Sequence, residues 1–350
     1  MTPQTPSPAA GPAPTPGRAR HRPVLGFVLD NLVWLILLIA LTAFGLFIPK
    51  FLQIGIFLNI LEQSTFVGVI AVGLSLTLIA GEMDLSVESV MALAAMLVAL
   101  TFGTGGAGGG LELDPAWLAF PVSLAMALGV GAAVGALNGL LVVRFEINAF
   151  IVTLASYIWG RGLVVALSGG RSVYGLPDAL RGVAVQRLLG VPLLAWVLIA
   201  VYLVFSFLLA KTPFGRHLFM IGGNAVASNR AGIRVARNVI LAFLLSGMLA
   251  GLAGIFEAVR VTSTEPIAGG SSTSFYAIAA VVMGGTLLTG GSGTAVGAFL
   301  GAFFLGTVRD GFTLSGVSAY SFDLIVGAAI LLAMAVNAGV ARAGKRWGGA

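Results

Sequence analysis

From Asn31 onward the chain is a series of long apolar runs separated by short polar or glycine-rich stretches. A helix needs about 20 apolar residues to cross a bilayer. Ten such spans are predicted, at 31–49, 57–80, 86–103, 116–143, 149–167, 193–210, 238–259, 274–289, 293–308 and 320–340. The eighth and ninth are short and interrupted by glycine, at Met283-Gly284-Gly285 and at Thr289-Gly290-Gly291-Ser292-Gly293. Irregular backbone at membrane depth is tolerated only where protein or a water-filled cavity surrounds it. The region 274–308 is therefore expected to be broken or re-entrant. The expected fold class is all-α, a polytopic transmembrane helical bundle.

Composition agrees. Of 350 residues, 58% are hydrophobic and 9% charged, whereas a soluble domain carries about 25% charge. The 49 glycines suit helices packed backbone to backbone. The absence of cysteine excludes disulfides, thiolate zinc sites and iron–sulfur clusters. With only His21 and His217 besides, no metal and no cofactor is expected. A net charge of +6 points to basic cytoplasmic loops against lipid headgroups rather than to nucleic acid. With the N-terminus inside, twelve Lys and Arg fall on inner segments, six on outer ones, and Arg161 within a span. That distribution places both termini in the cytoplasm.

Residues 1–23, rich in Pro, Ala and Thr and then basic, read as a disordered cytoplasmic tail. Residues 24–341 form the expected transmembrane domain, with a long cytoplasmic segment at about 211–237, and 342–350 a second tail. An internal repeat is visible: Ala71-Val72…Thr77-Leu78…Gly81…Val87 aligns without gaps on Ala280-Val281…Thr286-Leu287…Gly290…Val296. Two related hairpins of a transport pathway would produce it.

Polar side chains inside spans are functional candidates by default. Asn59, Glu62 and Gln63 cluster early in the second span, followed by Ser64 and Thr65. They are pathway candidates, or else hydrogen-bond across helices. Asp84 and Ser86 either contact solute or cap and pack the third span. Arg161 requires a counter-charge, for which Glu62 and Asp323 are available. Asn138 and Thr153 complete the candidate pathway set.

There is no Gly-x-x-x-x-Gly-Lys-[Ser/Thr] loop, so ATP hydrolysis is not expected of this chain. Neither is a hydrolase, for want of a His-Glu-x-x-His or Gly-x-Ser-x-Gly motif. Energy must come from another chain or from an ion gradient. Within 211–237, Pro213 and Gly222-Gly223 are expected to break structure, and 224–231 to form a short helix with Asn224 at its start and Gly232 just past its end. Gly222, Gly223, Asn224, Ala225, Ala227, Arg230, Ala231, Gly232 and Ile233 are the expected contact with a soluble partner. The alternative is a basic loop resting on lipid.

At this point the chain resembles a family. Asn59-Ile60-Leu61-Glu62-Gln63, Asp84-Leu85-Ser86-Val87, Leu137-Asn138-Gly139, Phe150-Ile151-Val152-Thr153-Leu154 and Thr212-Pro213-Phe214-Gly215-Arg216 are similar to stretches of the permease subunits of bacterial ABC sugar importers of the ribose/xylose/galactose type. So are Gly222-Gly223-Asn224 through Ala231-Gly232-Ile233, and Ala277 through Thr286. The resemblance covers about 55–340. It implies a monosaccharide importer in the bacterial inner membrane and a second permease copy, identical or similar. It also implies a separate cytoplasmic ABC ATPase bound at 222–233 and an extracytoplasmic sugar-binding protein. Two departures stand out: Glu82-Met83 and Glu88 where the family usually has Gly-Ile and Gly, and Asn148-Ala149 where it often has Pro-Pro. An ion-coupled secondary transporter or channel, using Glu62, Asp84 or Asp323, is the alternative.

Overall fold

The computed structural model describes residues 32–316 apart from 267, 269 and 271, together with 321, 323, 324, 327, 328 and 331. Both expected tails and most of the tenth span lie outside the described residues. Twelve α-helices are described. They are α1 (Leu32–Phe47), α2 (Ile54–Ile79), α3 (Val87–Phe102), α4 (Ala119–Arg144), α5 (Ala149–Ser168) and α6 (Asp178–Val185). The second half holds α7 (Leu193–Lys211), α8 (Pro213–Gly223), α9 (Ala225–Arg230), α10 (Val235–Val261), α11 (Thr273–Met283) and α12 (Ala295–Leu314).

Six of them, α2, α4 with its preceding 3-10 turn, α5, α7, α10 and α12, are long and apolar enough to cross a membrane. Three expected spans are shorter apolar helices, α1, α3 and α11. At 1.5 Å per residue, the 11 residues of α11 reach only about 16 Å, half of a hydrocarbon core of about 30 Å. The break expected across 274–308 is thus confined to its first half, because α12 runs unbroken for 20 residues. The physical reason lies in Gly284 and Gly285. Gly285 adopts φ +88°, and Thr286 and Gly285 close the helix by donating to Val281 and Val282 carbonyls at 3.1 and 3.0 Å.

α10 is the central post, packing on α4, α2 and α3. Its seam with α4 is glycine against glycine. A Cβ on Gly131 would lie 2.0 Å from the Gly247 carbonyl oxygen, and one on Gly247 2.1 Å from that of Gly131. A Cβ on Gly251 would likewise lie 2.1 Å from the Ala127 carbonyl oxygen, and one on Gly254 2.2 Å from that of Met91 on α3. With lipid as apolar as the helices, such close backbone approach supplies the dispersion contacts that hold membrane helices together.

Two ends of the bundle differ. At one, β1 (Gly105–Gly106), β2 (Val173–Tyr174) and β5 (Ser263–Thr264) form a small antiparallel sheet tying together the C-terminal ends of α3, α5 and α10. A hairpin, β3 (Arg187–Leu188) with β4 (Val191–Pro192), precedes α7. At the other end lie α8, α9, the C-terminus of α2 and the 284–294 loop. Pro213 marks a break, as expected, and is itself helical: α7 ends at Lys211, Thr212 is extended, and a new helix begins at Pro213. It starts α8 at a position where its missing N–H costs nothing, with the Thr212 hydroxyl accepting from Gly215 N–H at 3.3 Å. Gly222 and Gly223 also remain helical, and the chain departs from helix at Asn224.

The repeated hairpins are both present, α2–turn–α3 and α11–turn–α12, with Gly81 and Gly290 left-handed at φ +87° and +84°. They are not equal. The position matching Ile79 is Leu288, yet α11 has already ended at Met283.

Candidate functional site

Four of the sequence-predicted residues, Asp84, Ser86, Asn138 and Thr153, come together in one buried network. Asp84 Oδ1 accepts from the Ser86 N–H at 3.0 Å and the Ser86 hydroxyl at 2.6 Å, and Oδ2 accepts from Ser246 Oγ at 2.8 Å. Asn138 Nδ2 donates to Ser86 Oγ at 2.9 Å, and its Oδ1 accepts from Ser156 Oγ at 2.5 Å. Thr153 Oγ1 bonds the carbonyls of Ala149 (2.8 Å) and Met83 (3.1 Å). The start of α3 is thereby pinned to α4, α5 and α10. Ser86 stands at the helix N-cap, but its side chain makes no capping bond; Asp84 holds the turn instead. Asp84 is 1% exposed, and both its oxygens are hydrogen-bonded within the bundle. Ser246 and Ser156 were missed by sequence reasoning, since a single serine in an apolar helix carries no spacing signal.

Asn59, Glu62 and Gln63 also come together, with partners from two other helices. Asn59 Nδ2 donates to Asp310 Oδ2 at 3.2 Å, and Gln63 hydrogen-bonds the same carboxylate. Glu62 faces Arg260 of α10 at 3.6 Å. Asp310 was overlooked because the ninth span was expected to stop at 308, whereas α12 continues to Leu314. Beside this cluster a pocket of about 30 Å³, lined by Gln63, Ser64, Tyr276 and Arg309 among others, has room for about one water. The buried Ser64 hydroxyl has no protein partner.

Arg161 pairs with neither Glu62 nor Asp323. Its partner is Glu88, at the first turn of α3. Asp323 accepts from the Tyr276 hydroxyl instead. Arg161 also donates to the carbonyls of Ala268, at 2.9 Å, and Gly270. The other Glu88 oxygen accepts from Ser274 N–H at 3.0 Å, at the N-terminus of the half-helix α11. A carboxylate there is favoured by the helix dipole and by the N–H groups that a first turn leaves free. A recess of about 350 Å³ opens nearby, walled by Ala95, Glu257, Thr264, Glu265, Ala268 and Gly270. Among the described residues no cluster of three or more His, Asp or Glu has the arrangement of a metal site.

In the expected partner segment, α9 is a six-residue helix. Asn224 caps it, its Oδ1 accepting from Ala227 N–H at 2.9 Å. Gly232, at φ +84°, follows the C-cap Ala231 and donates to the Asn229 carbonyl at 3.0 Å. Asn224, Ala225, Val226, Ala227, Arg230 and Ala231 are exposed. Ile233 is buried against Val142, Ala149 and Ile221, and Gly222 packs into the bundle, so neither belongs to the outward face.

Six helices long and apolar enough to span a bilayer, a half-helix at α11 and ion pairs between helices define a multi-pass membrane protein. The chain belongs to the family described as branched-chain amino acid transport system / permease component, which it matches over residues 56–334. It is 36% identical over 311 residues to the ribose import permease protein RbsC of Escherichia coli K12, covering 88% of this chain and 92% of that protein. To RbsC of Bacillus subtilis 168 it is 36% identical over 293 residues, 83% and 86% of the two chains. The autoinducer 2 import system permease protein LsrC of Enterobacter sp. strain 638 is 34% identical over 294 residues, 83% and 82%. No solved structure matches it. The chain is the permease component of an importer, embedded in the inner membrane.

Proposed function

We propose that the chain forms the pathway of an ABC importer for a monosaccharide or a similar neutral polyol, with ATP hydrolysed by a separate cytoplasmic subunit seated on α9. In this reading a second permease copy completes the pathway and an extracytoplasmic binding protein delivers the solute. About ten segments enter the membrane, both termini are cytoplasmic, and the β1-β2-β5 sheet faces the binding protein.

The observation that carries the coupling role is α9. A short helix capped at both ends, exposed on Asn224 to Ala227 and rigidly joined to α8, can transmit a domain movement that a loose loop would absorb. A neutral solute is favoured because the ionisable groups of the spans bond protein partners: Glu88 with Arg161, Glu62 with Arg260, Asp84 with Ser246. The relatives named for ribose and autoinducer 2 import point the same way.

The test is reconstitution with a candidate ATPase and binding protein, screening a sugar panel. One sugar should stimulate ATP hydrolysis and accumulate in vesicles. ATP hydrolysis by the isolated chain, or uptake driven by a proton gradient without any ATPase, would overturn the reading.

A further inference from the structure

We infer that Gly222 is the fulcrum through which movement of α9 reaches both repeated hairpins at once. The inference rests on the coupling reading above and adds the route inside the bundle.

Gly222 lies where three backbones meet without side chains between them. A Cβ placed on it would fall 1.9 Å from the Ile79 carbonyl oxygen, at the end of α2, and 2.3 Å from the Gly291 nitrogen. Gly291 donates its N–H to that same Ile79 carbonyl at 2.9 Å. A Cβ on Gly290 would lie 2.8 Å from Gly81 Cα and 3.0 Å from Gly222 Cα. The turns of the two repeated hairpins therefore touch each other, and α8 presses on both. The atoms nearest to Gly222, Gly290 and Gly291 are backbone atoms, and packed interiors transmit strain rather than deform smoothly.

The handle is rigid too. Asn224 caps both α8 and α9: its N–H donates to the Met220 carbonyl at 3.0 Å, and its own carbonyl accepts from Ser228 N–H at 3.0 Å. On the far side, the α2 turn leads within five residues to Asp84, bonded to Ser246 on α10. The 284–294 loop leads into α12, whose first turn is capped by Thr294. A tilt of α9 thus displaces the start of α3 and the start of α12 together.

Gly129, on α4 and outside the expected ATPase contact, is the matched control, because a Cβ there meets nothing within 4 Å. Gly222→Ala and Gly129→Ala make the same change at helical positions, the first against backbone and the second into open space. Hydrogen exchange would be followed on the full chain in complex with its ATPase, nucleotide-free and with ATP plus vanadate. In the wild-type chain, exchange in 79–86 and 286–294 should change about tenfold with nucleotide, as a local opening does. Gly129→Ala should match it. Gly222→Ala should keep the ATPase bound and the response of 225–230, while 79–86 and 286–294 no longer follow the nucleotide.

The inference is overturned if wild-type 225–230 responds and those two segments do not, an arm that needs no variant to fold. It is equally overturned if Gly222→Ala transmits as Gly129→Ala does. If the wild-type chain binds no ATPase through 225–230, the coupling reading itself fails, which is a different result.

Discussion

Asp84 and Ser246 stand 162 residues apart in sequence and are joined by a 2.8 Å hydrogen bond inside the bundle. That contact fastens the turn between α2 and α3 to the central helix α10. With the bonds from Ser86 to the other Asp84 oxygen, it ties the start of α3 to that helix.

Removing the Asp84 carboxylate should therefore cost stability before it costs transport. Asp84→Ala strands the donors of Ser86 and Ser246, at about 1.5–3 kcal/mol for each hydrogen bond to a charged group. Ser246→Ala removes one bond and should cost less. Thermal unfolding in detergent orders the two. A fully stable Asp84→Ala chain without uptake would mark Asp84 as a solute contact instead.

The Glu88–Arg161 pair should behave as a buried pair does. Glu88→Gln or Arg161→Met alone is expected to destabilise by about 3–5 kcal/mol, since each leaves its partner unmatched. The double variant should recover most of that loss. A double-mutant cycle on unfolding midpoints measures it; strictly additive losses would indicate that the two charges act independently.

Glu62 and Arg260 are separated by 3.6 Å and only partly buried, with side chains 19% and 31% exposed. Solvent screening limits such a pair to about 1 kcal/mol or less. Glu62→Gln should lower uptake only moderately and leave its pH profile unchanged. Abolished uptake together with loss of a pH dependence would make proton coupling the better account.

The outward face of α9 can be mapped with maleimide, because the chain has no native cysteine. Val226 is 64% exposed and Ser228 only 4%. Val226→Cys should label rapidly in the isolated permease and become protected when the ATPase binds. Ser228→Cys should label slowly in both states. Equal labelling of the two would contradict the capped helix.

Glycines divide into those that touch backbone and those that do not. Gly247→Ala would drive a Cβ to 2.1 Å from the Gly131 carbonyl, whereas Gly129→Ala meets nothing within 4 Å. The first should cost about 1–3 kcal/mol or more through overpacking. The second should be neutral or mildly stabilising, as Gly→Ala in a helix gains about 1 kcal/mol. Folded yield after membrane extraction separates them.

Much of this protein is written locally. Apolar run length placed α2, α4, α5, α7, α10 and α12, because a helix that must satisfy its own backbone in lipid needs only length and hydrophobicity to be recognised. The α9 caps were readable for the same reason: Asn224 and Gly232 act on N–H and carbonyl groups within four residues. The repeat pointed correctly to paired glycine turns at Gly81 and Gly290. Tertiary structure decided what each polar side chain meets. Glu88 rather than Glu62 or Asp323 neutralises Arg161, and Asp310 rather than lipid or solute receives Asn59. Ion pairing and hydrogen bonding depend on which helix faces are brought within about 3 Å, and helices of similar apolar composition do not encode their neighbours in spacing. The same holds for Gly222. It was expected to bend the chain, and it is instead the place where α8 comes close enough to touch two other backbones, a requirement set by partners 143 and 69 residues away at Ile79 and Gly291.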